Sequence, residues 1–200
     1  MSRGLGDVYK RQNFDIRLNR YCEEAYATKK WAFVSDVARL WALVHEGGVY
    51  MDTDVELVRP LDRLLTNKAF LGFEGTQWVG TNLIGAEPSH SFFIELLKSY
   101  DHRCFITPDG KPDQTTNVEE LTRKLEKVYG FRKDGSFQQL GDITLYPTDY
   151  FCPYDYIDGQ LHRTENTYSI HWYSQTWIKR SRWINKLSQW MHRLTGNRMK

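Results

Sequence analysis

The segment from Ser35 to Glu56, SDVARLWALVHEGGVYMDTDVE, reads as a helix, a stop, a strand and an acidic turn. Val37, Leu40, Trp41 and Val44 line one face of a helix whose period is about 3.6 residues. Gly47 and Gly48 end that helix, because glycine takes the left-handed conformation that satisfies the last carbonyls. Val49, Tyr50 and Met51 are β-rich and predict a short buried strand. The strand stops at Asp52-Thr53-Asp54. This places two carboxylates at its carboxyl end, where open α/β sheets bind ligands.

Two like charges that close repel each other, and a divalent cation compensates them well. Magnesium and manganese take carboxylate oxygens and can grip phosphates at the same time. An isolated Asp-x-Asp is more often a solvated turn or a helix cap, since short motifs recur by chance. Here the pair follows a hydrophobic strand. The preceding helix also carries Asp36 and Arg39, three residues apart on one face. On a solvated surface such an ion pair would be worth little.

The longer run SDVARLWALVHEGGVYMDTDVELVRPLD resembles the core of the DXD-containing glycosyltransferases of family 32, which include bacterial capsular-polysaccharide transferases and Golgi mannosyltransferases. A Ser-Asp-x-x-Arg helix, a Gly-Gly stop, an aromatic and Asp-x-Asp follow in fixed order. The likeness runs from Asn13 to Trp177 and is nearest the bacterial capsular type. It implies an α/β fold of GT-A type, a mixed and mostly parallel sheet flanked by helices. It also implies transfer of a hexose, with retention, from a UDP- or GDP-sugar to a saccharide or lipid-linked saccharide in polysaccharide synthesis.

The resemblance assigns roles as well. Asp52 and Asp54 would hold manganese or magnesium, with Arg39 beside them reaching the donor sugar or phosphate. Asp36, Tyr50 and Asn82 would position the donor. The closing segment His171-Trp-Tyr-Ser174-Gln-Thr-Trp177 is similar to the family's His…Ser-x-Trp pattern. It implies His171 as a further metal ligand and Trp177 against the donor. One extra residue between Ser174 and Trp177 departs from the family spacing.

Composition narrows the classes. Two hundred residues with ordinary apolar and charged fractions suit one globular domain. Lys179 to Lys200 holds seven Lys/Arg and no acid, and subtracting these seven from the net +2 leaves −5 on the body. A nucleic-acid binder would carry its basic charge on the folded body. Cys22, Cys104 and Cys152 form neither a disulfide framework nor a zinc pattern, which predicts a reducing, cytoplasmic setting. No apolar run reaches membrane-span length.

The two ends are read apart from the body. MSRGLGDVYKRQ has no hydrophobic period, and residues 7–12 resemble a translated sequencing adapter, so 1–12 are expected to be a scar. Residues 13–177 would then be a catalytic domain lacking its first strand. Residues 178–200 place Trp183, Ile184, Leu187, Trp190, Met191 and Leu194 on one face among basic residues. This predicts an amphipathic helix, either docked on the domain or lying on an anionic membrane at the inner face of the plasma membrane.

Between these ends, Asn13 to Lys30 reads as a turn and then a helix with Tyr21, Ala25 and Tyr26 on one side. Ala69–Glu74 and Thr81–Ala86 read as strands, and a helix after Pro88 turns Phe92, Phe93, Leu96 and Leu97 to the core. Thr116 or Asn117 is expected to cap the helix that runs to Tyr129, and Asn117 could instead serve as a polar group on the acceptor side. Residues 131–147 read as a hairpin turning at Asp134-Gly135, and 148–159 as an aromatic, acidic loop. Two alternatives stand beside the transferase. In a haloacid-dehalogenase-like phosphohydrolase Asp52 would attack phosphorus, which needs a later acid beside it, and only Asp142 is available. The other alternative is a non-catalytic membrane-binding fragment.

Overall fold

A computed structural model of the chain describes residues 14–173. The expected scar at 1–12, Ser174, Trp177 and the basic helix of 178–200 lie outside the described residues. The described helices are α1 (Arg20–Ala27), α2 (Trp31–His45), α3 (Ser91–Lys98), α4 (Asn117–Tyr129) and the short α5 (Thr148–Phe151). The strands are β1 (Gly48–Met51), β2 (Val55–Leu57), β3 (Ala69–Glu74), β4 (Trp78–Val79), β5 (Leu83–Ala86), β6 (Gln138–Leu140), β7 (Ile143–Tyr146), β8 (Tyr154–Asp155), β9 (Gln160–Leu161) and β10 (Ser169–His171).

The architecture is the expected α/β one, with a mixed sheet and flanking helices. The main sheet runs β1-β5-β3-β7-β6, with β4 attached to β3. β3 and β7 pair in parallel, and every other pairing in this sheet is antiparallel, so the expectation of a mostly parallel sheet is corrected. β1, β3 and β7 do point the same way, but the antiparallel β5 is inserted between β1 and β3. The carboxyl ends of these three strands therefore share one edge, and Asp52 follows the outermost of them. Asp142 lies at the opposite edge, just before Ile143, which aligns through Ala69 and Ala86 with the start of β1. The acid that a phosphohydrolase would need beside Asp52 is thus a strand length away.

β1 is half-exposed rather than buried, because β5 covers it on one side and the described sheet ends there. The buried run is β3, where Ala69, Phe70, Leu71, Gly72 and Phe73 are all covered from both faces. α2 packs Val37, Leu40 and Leu43 into one core cluster with Tyr21, Phe73, Phe93 and Tyr100. A second cluster, with Leu64, Phe70, Leu83, Phe151 and Tyr168, lies under the acidic turn. Gly85 exists for Phe70, since a Cβ there would sit 1.9 Å from the Phe70 ring.

The local stops work as predicted. Gly47 ends α2 with φ +66, and an added Cβ would meet Pro88 at 2.5 Å. Two details differ and a third is decided. Tyr26 is 44% exposed and meets Trp31 edge-on, while Cys22 takes the buried position on α1. Of the two candidates, it is Thr116 that caps α4 by accepting from the Glu119 amide, while Asn117 is buried as the first helical residue. The hairpin turns at Gly141, whose φ is +65, between β6 and β7. Asp134 instead folds a local turn before β6, accepting from the Ser136 amide and hydroxyl and from Arg132.

Candidate metal and donor site

The acidic turn is closed by a hydrogen bond from the Val55 amide to the Asp52 carbonyl, 3.1 Å. Its start is tied to the sheet, because the Asp52 amide donates to the Asn82 carbonyl at 2.8 Å. The chain then leaves as β2 and finds its partner far along the sequence. β10 pairs antiparallel with β2 and sets His171 opposite Val55. The Trp172 amide extends this ladder to the Asp54 carbonyl, 3.0 Å.

This pairing brings His171 to the turn, with Nε2 3.4 Å from Asp54 Oδ1. One ligand atom from each of Asp52, Asp54 and His171 lies within 4.8 Å of the others. Two carboxylates and an imidazole form a donor set that suits manganese and accepts magnesium through its oxygens. His171 Nδ1 is buried with no partner among the described residues. All three residues are half-buried, so the site faces solvent without being immersed in it.

Behind Asp52 stands a buried cation. Arg39 and Asp36 are each 7% exposed, so the pair is not a weak surface bridge. Arg39 reaches Asp36 at 3.2 Å and Asp52 at 3.5 Å, and donates to the Thr81 carbonyl at 2.7 Å. Its guanidinium also lies 4.7 Å over the Tyr50 ring, and the Tyr50 hydroxyl donates to Asp52 Oδ1 at 2.7 Å. Burial alone would depress the Arg39 pKa. The pull of Tyr50, Asp52 and Asp36 outweighs it, so the guanidinium is held charged more firmly than usual. Burial pushes Tyr50 up, so its hydroxyl stays a donor. Arg39 thus offsets much of the charge of the acidic turn from inside, and a cation can complete the balance from outside.

Asp36 is held in turn by α4. The Asn117 amide donates to Asp36 Oδ2 at 3.3 Å, and the Asn117 side chain donates to the Asp36 carbonyl at 2.8 Å. Asn117 also accepts from the Tyr100 hydroxyl at 2.7 Å. Asn82 is 3% exposed, accepts from Cys152 Sγ at 3.3 Å and keeps a buried Nδ2 with no partner among the described residues. The structure therefore gathers Asp36, Arg39, Tyr50, Asp52, Asp54, Asn82 and His171 around one edge of the sheet.

Sequence reasoning passed over Glu74, Asn117 as a brace, Cys152 and Tyr173. Glu74 had a readable signal, since it ends β3 as Asp52 follows β1. Burial pushes its carboxyl up, against the pull of His171 and a hydrogen bond from Tyr173. The others carried none, because their partners are distant in the chain.

Comparison with known proteins matches residues 7–71 to the family model described as a glycosyltransferase sugar-binding region containing a DXD motif. The chain is 31% identical to a mannosyl phosphorylinositol ceramide synthase of Saccharomyces cerevisiae, over 49% of this chain and 25% of that protein. It is 37% identical to inositol phosphoceramide mannosyltransferase 1 of Schizosaccharomyces pombe, over 35% and 23%. It is 26% identical to the human alpha-1,4-N-acetylglucosaminyltransferase, over 64% and 35%. The matches span a third or less of most of these relatives' lengths. No solved structure matches the chain. The family match is carried by residues 7–71, and Asp52-Thr53-Asp54 stands within it as the Asp-x-Asp motif.

Proposed function

We propose that this chain is a GT-A-type catalytic region that moves a hexose from a UDP- or GDP-sugar, with manganese or magnesium, to a saccharide or lipid-linked acceptor. The observation that carries the reading is the Asp52, Asp54 and His171 triad, with ligand atoms within 4.8 Å of one another, backed by buried Arg39. A divalent cation bound there would supply Lewis-acid stabilisation of the charge on the departing nucleotide diphosphate. Asp52 and Asp54 would hold it, with His171 as the neutral third donor. Arg39 and Tyr50 fix the orientation of Asp52, and Asn117 fixes Asp36, so the carboxylates need no rearrangement on donor binding.

The proposed outcome at the anomeric carbon is retention, with front-face attack and the proton passing to the departing phosphate. The relatives whose printed names are a mannosyl phosphorylinositol ceramide synthase and an inositol phosphoceramide mannosyltransferase support a lipid-borne polyol as acceptor. Residence at a membrane surface would suit such an acceptor, and no helix among the described residues is long and apolar enough to cross a membrane.

The test is a thermal-shift titration with UDP and GDP, each with and without manganese, on the chain and on Asp54→Ala. One nucleotide should raise the melting temperature only with manganese, and Asp54→Ala should abolish the rise. Ligand at about 100 times Kd stabilises by about 2.7 kcal/mol, well within reach of the method. No manganese-dependent shift with either nucleotide, or a shift preserved in Asp54→Ala, would overturn the proposal.

A further inference from the structure

A cleft of about 760 Å³ opens beside the metal triad. Its walls come from the β3–β4 turn, the first turn of α4 and the stretch after α5. Trp78 is 46% exposed and Tyr156 is 53% exposed, both on this lining. Large rings left open on a cavity wall mark a ligand surface better than a scattered surface apolar group does. A series of rings links the cleft to the triad. Tyr156 lies 5.0 Å from Tyr173, and Tyr173 lies 3.9 Å from the His171 ring. Glu74 lines the same cleft, takes a hydrogen bond from Tyr173 and feels the charge of both His171 and Asp52.

The charge of the cleft is one-sided. Glu74, Asp149 and Asp155 line it with Glu119, which Arg123 pairs at 2.5 Å, against the single His162, and Lys133 stands over the Trp78 ring at 5.9 Å. Glu119 and Glu120 in the first turn of α4 also offset the positive end of that helix. A phosphate or carboxylate would meet repulsion here. A neutral polyol would not, since its hydroxyls donate to carboxylates and its C–H face packs on an aromatic ring.

We propose that this cleft is the acceptor site, and that it takes an uncharged hydroxyl-rich ring, a hexose terminus or a cyclitol, laid on Trp78 with its hydroxyls bonded to Glu74. The inference rests on the transferase reading and adds to it what receives the sugar. A lipid-linked acceptor would enter with its neutral ring first and leave any phosphate outside.

Saturation-transfer NMR on the full chain tests this with methyl α-mannopyranoside and myo-inositol as neutral probes. Mannose 6-phosphate and myo-inositol 1-phosphate serve as their charged counterparts. At least one neutral probe should receive saturation, its charged counterpart should bind more weakly, and Trp78→Ala should weaken the neutral probe by roughly tenfold. Which neutral probe responds separates a hexose terminus from a cyclitol. Melting temperature reports whether Trp78→Ala folds, and Tyr156→Ser replaces it if not. No transfer to either neutral probe, equal or tighter binding of the charged ones, or full affinity in the folded variant would each overturn the proposal. The nucleotide shift above is read separately, so neutral-sugar binding without it would sink the transferase reading and leave a sugar-binding cleft.

Discussion

Arg39 is the residue on which the local charge balance turns. It is buried between Asp36, Asp52 and the Tyr50 ring, with Nη2 facing both carboxylates and the guanidinium lying over the ring. Replacing it with an apolar side chain of similar length would leave two part-buried carboxylates facing each other without a counter-charge. Arg39→Met is therefore expected to cost about 3–5 kcal/mol in urea unfolding, the range for breaking one side of a buried pair. The same variant should lose the manganese-dependent nucleotide shift even at temperatures where it remains folded. A loss under 1 kcal/mol would mean that the pair is solvated, as on a surface. The position of Asp52 and Asp54 just after a strand was legible in the sequence. The burial of Arg39 was not, because an Asp and an Arg three residues apart look the same on a solvated helix and inside a core.

At the scale of elements, α4 braces α2 through Asn117, which is 1% exposed and serves three polar contacts at once. Asn117→Ala would strand the buried Tyr100 hydroxyl and remove the side-chain donor to the Asp36 carbonyl. It should lower stability by about 1–3 kcal/mol, measured by denaturant unfolding, as expected for buried groups left without partners. Thr116→Ala should cost less, since it removes only an exposed N-cap. The sequence placed a cap at this point and left Thr116 and Asn117 both open to it. Asparagine is as good a cap as threonine, and what separates them here is the buried partner 81 residues away.

The turn before β6 carries its own pH signature. Hydrogen bonds from Ser136 and then Arg132 pull the Asp134 carboxyl down from 3.8 to about 2. A depressed acid contributes stability above its unfolded value and loses it as pH falls through the folded one. Asp134→Asn is therefore expected to melt below the wild type at neutral pH. The gap should close between pH 3.8 and about 2, as calorimetry across that window would show. A gap independent of pH would mean that the side chain acts by shape rather than charge.

Across the whole molecule, the site is assembled from two structures of unequal depth. The main sheet is covered on both faces around β3, whereas β2 and β10 form a separate two-stranded ribbon whose β2 strand is partly exposed. Local opening follows burial and contact density. Amides of Phe70 and Leu71 should exchange only through global unfolding, and those of the β2–β10 ribbon through a smaller opening. Manganese with the bound nucleotide should slow exchange in the ribbon more than in β3, because His171 ties the ribbon to the turn. Equal protection in both before ligand would argue that the site is already locked.

The sequence by itself determined the helix from Trp31, its stop at Gly47, the strand after it and the acidic turn. These follow from nearest-neighbour chemistry: periodicity, glycine's access to positive φ and the β preference of Val and Tyr. It also marked His171, through likeness to a family pattern. Only the tertiary structure decided that β5 runs between β1 and β3 and makes the sheet mostly antiparallel. It alone seated Arg39 inside rather than outside, and brought Glu74, Trp78 and Tyr173 around one cleft. Those outcomes depend on which strand pairs with which and on what covers each face. Residues far apart in the chain fix both, through burial and hydrogen bonding that no local window contains.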